Sequence, residues 1–319
     1  MKIFVSIASY RDPLLATTVK EAYDNAHYKD SLVFGIVDQS YGIETFDPNY
    51  FAFKKQIRYV RIEPHLARGA CWARHLVQTL YNYEEYYFQI DSHTIFDRDW
   101  DKTFIEQHQH LQQYHAMPII SSYPYSFEIV DGDLTNLKKT TRSKDCQVLV
   151  VNTENTFKSE QEQHVSSKGT YYKKQEPVHG SLVAGGCLFG HGHLVERVPY
   201  DPHLYFTGEE CSLALRLWTN GYNLFHIPDM PLYHQYIGKY RSKHWADKIV
   251  ENASATKWHE MSTMSRQRVN RVTTGKDLGV YGIGNKRTLQ QYADFSGIDY
   301  VRQVYTERNI SELNYKDQI

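Results

Sequence analysis

The run Tyr86-Tyr87-Phe88-Gln89-Ile90 stops abruptly at Asp91-Ser92-His93. Apolar and aromatic residues ending on Asp-x-His read as a buried strand that delivers two polar side chains to its carboxyl end. A carboxylate and an imidazole two residues apart point the same way from a strand and can hold one divalent cation. In open α/β sheets, that end is where ligands bind. The plain alternative is a strand-end aspartate capping the next turn. Asp97, Asp99 and Asp101 follow closely and favour the cation reading.

The preceding chain shows the same grammar. Ile3–Ala8 and Leu32–Val37 are compact apolar runs, and Ile57–Ile62 reads as a third strand. Between them, Leu15, Val19, Ala22 and Ala26 fall on one helical face, and Arg68–Leu80 reads as a helix opened by Gly69. Strands alternating with helices predict βαβ units and a mostly parallel central sheet flanked by helices, an α/β fold. Residues 1–115 form a nucleotide-binding half on this reading. Ile119–Ser122 is a further strand. Residues 131–178 are polar and irregular and are expected to be loops with a mobile flap. Ser181–Phe189 resumes strand character, and Gly185-Gly186 permits close backbone approach to a ligand. Glu209–Asn220 reads as a helix stopped by Gly221.

Composition excludes several classes. Net charge is −1, so no global field draws the chain to nucleic acid or anionic membrane. The four cysteines are scattered without a Cys-x-x-Cys pair, so free thiols are expected rather than disulfides or zinc. Met1-Lys2-Ile3-Phe4-Val5 reads as a first strand, and no stretch approaches the roughly 18 apolar residues of a membrane span. A cytoplasmic protein without membrane contact is expected, and its oligomeric state is left open. Residues 239–276 carry nine Lys/Arg against three Asp/Glu, with Tyr240, Trp245 and Trp258 among them. A solvated helical face explains this, and a phosphate, acceptor or nucleic-acid surface is the alternative.

Three further groups carry chemistry. His234, in Tyr233-His234-Gln235, is a candidate third cation ligand, chosen among 16 histidines. Arg68 and Arg74 lie among small residues, and their guanidinium forks suit phosphates as well as ion pairs. Glu209 and Glu210 open a helix, where the dipole stabilises them; one of them could instead orient an acceptor hydroxyl or take its proton. Neither a P-loop nor a Gly-x-Gly-x-x-Gly fingerprint occurs.

These motifs, in this order, resemble the family of Skp1-type polypeptide N-acetylglucosaminyltransferases. The likeness rests on Phe4–Pro13, Gly35–Gln39, Ala67–Arg74, Gln89–His93, Ala184–Gly186, Thr207–Glu210, Arg216–Tyr222, Tyr233–Tyr236, Leu278–Gly284 and Arg287–Leu289. Asp-Ser-His stands where many nucleotide-sugar glycosyltransferases have Asp-x-Asp. The resemblance implies a GT-A fold. It assigns residues 1–238 to a catalytic domain whose acceptor-side half is 116–238, and 239–319 to a basic helical extension packed on it. It implies a UDP-sugar donor, typically UDP-GlcNAc, Mn²⁺ or Mg²⁺, and retention of configuration. By position it makes Asp91, His93 and His234 the metal ligands. Ser6, Ala8, Tyr10, Arg11, Asp38, Arg68, Arg74, Gly185 and Gly186 become donor-binding residues, and Glu209 and Glu210 the catalytic acidic pair. An acceptor protein hydroxyl is the default; a glycan or a hydroxylated DNA base are the other acceptors. A non-catalytic nucleotide-sugar-binding module is the reading of another class.

Overall fold

The computed structural model of the chain describes residues 1–42, 46–157 and 165–319. The first half runs β1 (Ile3–Tyr10), α1 (Leu15–Asp24), β2 (Leu32–Gln39), β3 (Ile57–Ile62), α2 (Ala70–Gln78), β4 (Tyr86–Asp91), β5 (Thr94–Phe96) and α3 (Trp100–Gln112). It continues with β6 (Pro118–Ser121), β7 (Tyr125–Ile129), β8 (Leu137–Lys139), β9 (Cys146–Val151), β10 (Ser167–Tyr172), β11 (Val178–Gly180) and β12 (Cys187–His191). The last part holds α4 (Leu194–Arg197), α5 (Glu209–Thr219), β13 (Asn223–His226), β14 (Leu232–His234), α6 (Lys248–Ala253), α7 (Trp258–Thr273) and α8 (Leu289–Ser296).

Side-chain alternation explains the layering. Ile3, Val5 and Ile7 of β1 pack with Leu15, Val19 and Ala22 of α1 and with Trp100 and Phe104 of α3. Phe4, between them in sequence, points the other way and joins Cys71, Ala73 and Val77 of α2 and Leu213, Leu215 and Leu217 of α5. β4 repeats the division, with Phe88 and Ile90 on one face and Tyr87 on the other. Period-two strands buried on both faces thus build a helix–sheet–helix sandwich. Each buried Leu, Ile or Phe contributes about 1.5–3 kcal/mol to it.

The central sheet has eight strands in the order β11-β13-β6-β12-β4-β1-β2-β3. β4, β1, β2 and β3 are parallel, as the alternating pattern predicts. The sheet as a whole is mixed, because β12 runs antiparallel to both β4 and β6. A strand buried on both faces carries no sequence mark of its direction. A second sheet, β5-β14-β7-β8, abuts the carboxyl end of β4 and brings in His234.

Residues 131–178 differ from the expected loops. β9 is a buried strand, paired antiparallel with β10, and β8 adds to the second sheet. The apolar run Val148-Leu149-Val150-Val151 is the cue, obscured by the lysine-rich segments on either side. The part of the expected loop at 158–164 lies outside the described residues. Ser181–Phe189 is also not one strand: β11 ends at Gly180, a turn follows, and β12 starts at Cys187, after the two glycines.

Beyond residue 238 the chain stays against the core. Val269 of α7 and Tyr292 of α8 are buried in the α5-side cluster. The guanidinium of Arg216, 2% exposed, donates to the carbonyls of Pro199, Val280 and Gly282 and anchors the following segment. Among the described residues no helix is long and apolar enough to cross a membrane.

Candidate metal and donor site

The cleft lies across the carboxyl ends of β4, β1 and β2. It measures about 430 Å³ and is lined by Ala8, Tyr10, Gln39, Arg74, Asp91, His93, His234, Arg241 and neighbours. β4 ends at Asp91, and a tight turn places His93 before β5 begins. Thr18 of α1 clamps that turn twice. Its hydroxyl donates to Ser92 O at 2.8 Å and accepts from Thr94 N at 3.0 Å.

One ligand atom each from Asp91, His93 and His234 lies within 4.8 Å of the others. His234 Nε2 stands 3.0 Å from Asp91 Oδ2, and the His93 and His234 rings are 4.5 Å apart. His234 Nδ1 is buried without a partner. Asp12 supports this cluster from below. Its carboxylate accepts from His93 Nδ1 at 2.6 Å, Ser92 Oγ at 2.7 Å and Leu14 N at 2.9 Å. With Nδ1–H donated to Asp12, His93 presents its Nε2 lone pair to the cleft. A carboxylate behind a ligating histidine is the usual way to fix tautomer and ring angle. Arg241 donates to that same Nε2. A cation bound there would take the lone pair that Arg241 now uses.

Carboxylate charge is strongly held. Burial alone would raise Asp91, but the His234 hydrogen bond and the Arg74 guanidinium keep it well below the usual carboxylate range. Burial would raise Asp12 too, and its bonds from His93 and Ser92 lower it instead. Gly186 makes room for this arrangement, since a Cβ there would stand 2.7 Å from Asp91 Oδ2.

Arg74 links the cluster to the acidic pair. It is 6% exposed and lies 2.7 Å from Asp91 Oδ1 and 3.0 Å from Glu209 Oε1. Tyr200 ties the group together, donating to Glu209 Oε1 at 2.8 Å and accepting from Gln89 Nε2 at 2.7 Å. The Gly185 carbonyl accepts from both Arg74 and Gln89. Glu210 points differently. Its two oxygens accept from Gly185 N at 2.8 Å and from the Tyr123 hydroxyl at 3.2 Å, and burial pushes its carboxyl up to about 7.

The remaining expected residues scatter. Ser6 is buried in the sheet and accepts from the Tyr87 hydroxyl at 3.0 Å. Arg11 pairs with Asp247 at 2.5 Å, and Tyr10 donates to the same carboxylate at 3.1 Å. Asp38 accepts from Ser40 Oγ at 2.7 Å, the Tyr59 hydroxyl at 3.0 Å and Phe46 N at 3.3 Å, and does not line the cleft. Arg68 lines a separate neighbouring cleft with His65, His203 and Met264. Tyr205 lines both clefts, and Gly69, at φ +96°, packs against it; a Cβ there would meet Tyr205 O at 2.2 Å. Asp12, Tyr200 and Arg241 escaped the sequence reading. Only Asp12, in Asp12-Pro13 at a strand end, left a local signal.

A family model described as Glycosyltransferase (GlcNAc) matches residues 2–50 and 40–302 of the chain. No curated protein matches it in sequence. Among solved structures, GalNAc-T7 with UDP, GalNAc and Mn²⁺ is similar at a TM-score of 0.59 and 13% identity, covering 92% of this chain. This chain spans 56% of the GalNAc-T7 chain. TarS 1–349 of S. aureus in complex with UDP-GlcNAc aligns at a TM-score of 0.44 and 11% identity, over 95% of this chain and 82% of that one.

Proposed function

The chain belongs to the glycosyltransferase (GlcNAc) family and has the GT-A fold, and from that premise we propose a cation-dependent transfer of sugar from a UDP-sugar, UDP-GlcNAc by default, to an acceptor hydroxyl with retention of configuration. The observation that carries this reading is the convergence of Asp91, His93 and His234 beside a cleft at the carboxyl ends of parallel strands. One carboxylate and two imidazoles suit Mn²⁺, and the presence of UDP and Mn²⁺ in GalNAc-T7 supports the same pairing. A bound Mn²⁺ or Mg²⁺ supplies positive charge that neutralises the departing diphosphate.

The chain's own residues do the rest. Arg241 and Lys243 line the cleft and offer N–H groups to phosphate oxygens. Arg74 holds the Gly185 carbonyl, Asp91 and Glu209 in one fixed arrangement. Glu209, ion-paired and hydrogen-bonded, is the rigid member of the acidic pair. Glu210, its carboxyl near 7, is the member able to orient an acceptor hydroxyl or hold its proton. Retention needs no strong base, because the leaving phosphate can take the acceptor proton on the same face of the sugar.

A protein hydroxyl is the acceptor favoured here, with a glycan second. A DNA base is less supported, because part of the basic segment is engaged within the fold. Arg268 pairs with Asp201 at 2.6 Å, Lys257 Nζ caps the Glu251 and Ser254 carbonyls, and Arg241 faces His93. Residues 1–238 then form the catalytic domain, with 239–319 an extension whose segment Arg241–Trp245 lines the cleft.

The test is mass-spectrometric detection of UDP-GlcNAc hydrolysis with Mn²⁺, with and without EDTA, in wild type and Asp91→Ala. Hydrolysis that EDTA abolishes and Asp91→Ala lowers at least a hundredfold is expected. Turnover indifferent to both would overturn the proposal.

A further inference from the structure

Arg68 borders a second cleft of about 320 Å³, beside the cation cleft. It is exposed, and among the described residues its guanidinium has no hydrogen-bond or ion-pair partner. Asp201, just before the lining residue Pro202, is already paired with Arg268 at 2.6 Å. Among the described residues no aspartate or glutamate lines this cleft, whereas His65 and His203 line it together with Arg68. The rest of its wall is largely apolar. Leu66 is 54% exposed and Met264 60%, and Met261 lines it too. One unpaired cation among exposed apolar side chains complements a partner that brings one negative charge and an apolar neighbour.

The two clefts are continuous along the chain at two places. Arg68 lines the second, and the next residues, Gly69 and Ala70, line the first. Leu204 lines the second, Tyr205 lines both, and Phe206 lines the first. The latter loop leads into α5, which opens with Glu209 and Glu210, and Glu209 N donates to Phe206 O at 3.2 Å. The second cleft therefore adjoins the loop that delivers the acidic pair. An extended peptide advances about 3.3–3.6 Å per residue, so a segment with its hydroxyl at the first cleft reaches the second within a few residues.

We infer that this second cleft is an acceptor subsite, in which Arg68 binds the carboxylate of an aspartate or glutamate flanking the modified hydroxyl of a peptide segment. This rests on the sugar-transfer reading given above. The guanidinium fork matches a carboxylate in shape as well as charge. Leu66, Met261 and Met264 take an adjacent apolar side chain, and thioethers adapt to varied shapes. A nucleic acid would ask for several cations along its backbone and for stacked aromatic faces. Arg68 is the only lysine or arginine lining this cleft among the described residues, and its walls are mostly aliphatic. Arg68 thus serves the acceptor and not the donor.

The experiment uses the full chain with UDP-GlcNAc, Mn²⁺ and matched synthetic peptides. Each has a central Ser, Thr or hydroxyproline, and Glu, Gln or Lys is walked through the flanking positions. Mass spectrometry reads sugar incorporation by wild type, Arg68→Gln and Arg68→Glu, with wild-type UDP-GlcNAc hydrolysis measured alongside. At one flanking position, wild type is expected to favour Glu over Gln at least about fivefold, as one charge-assisted pair allows. Arg68→Gln is expected to remove that preference, and Arg68→Glu to turn it toward Lys at the same position. Lower turnover in both variants with the Glu-to-Gln ratio intact marks Arg68 as structural and overturns the inference. Sugar incorporated into a single-stranded oligonucleotide but into no peptide overturns it as well. Wild type that hydrolyses UDP-GlcNAc yet shows no preference for Glu defeats this inference alone. Wild type that does not hydrolyse UDP-GlcNAc defeats the donor reading, and this inference with it.

Discussion

Asp12 holds Nδ1 of His93 at 2.6 Å, and the same carboxylate accepts from the Ser92 hydroxyl beside it. The turn after β4 is thereby locked with one imidazole nitrogen committed and the other aimed into the cleft. The rigidity comes from the loop after β1, a segment 81 residues earlier in the chain.

Asp12→Asn keeps the shape and removes the charge that orients His93. Loss of such a supporting carboxylate typically weakens cation binding 10–100-fold. Mn²⁺ titration followed by electron paramagnetic resonance reads this directly. Wild-type affinity in the variant would deprive Asp12 of the role.

Gly186→Ala tests the closeness of β12 to the cluster. The new methyl would stand 2.7 Å from Asp91 Oδ2, and the backbone there imposes no left-handed strain. Displacement of the carboxylate should lower Mn²⁺ affinity at least tenfold, with a fall in Tm of only a few degrees. A large collapse in Tm with unchanged affinity would contradict this.

Arg74→Met leaves Asp91 and Glu209 close together without the cation between them. Breaking a buried charge pair in this way costs about 3–5 kcal/mol. Urea unfolding at pH 7 measures it, and Glu209→Gln added to Arg74→Met should recover part of the loss. A cost below 1 kcal/mol would mean the three charges are solvated rather than mutually held.

Glu210 predicts a pH dependence. Burial raises its carboxyl from 4.5 to about 7, so the folded chain binds this proton more tightly than the unfolded one. The resulting stabilisation is complete below pH 4.5 and is lost as pH rises through about 7, up to about 3 kcal/mol in all. Glu210→Gln has no such proton, so its stability relative to wild type should improve between pH 5 and pH 8. Parallel urea curves at those two pH values check the sign.

Much of the framework was legible in the residues because it is local. Ile57–Ile62 is bounded in the structure as the sequence suggests, and the alternation in β1 and β4 marks both faces of the sheet. Asp91 and His93 share one turn, so their spacing speaks for itself. The unread parts are long-range. Tyr200 meets Arg74 126 residues away, and Arg241 meets His93 148 residues away, with no periodicity to connect either pair. Asp38 has partners of the same kind. Tyr59 and the Phe46 amide both donate to its Oδ2.

The third member of the candidate cation cluster comes from another sheet. Asp91 and His234 are 143 residues apart, and only the docking of β14 against β5 and β7 brings them together. An unfolded chain keeps Asp91-Ser92-His93 but cannot offer His234 at the same point. A cation at this site would therefore act as a staple across the fold, closing a long loop that the unfolded chain leaves open. Its grip would register as thermal stability in proportion to the logarithm of its concentration. Such a protein would emerge from synthesis unable to retain the ion, and would become competent to do so only once its second sheet had settled.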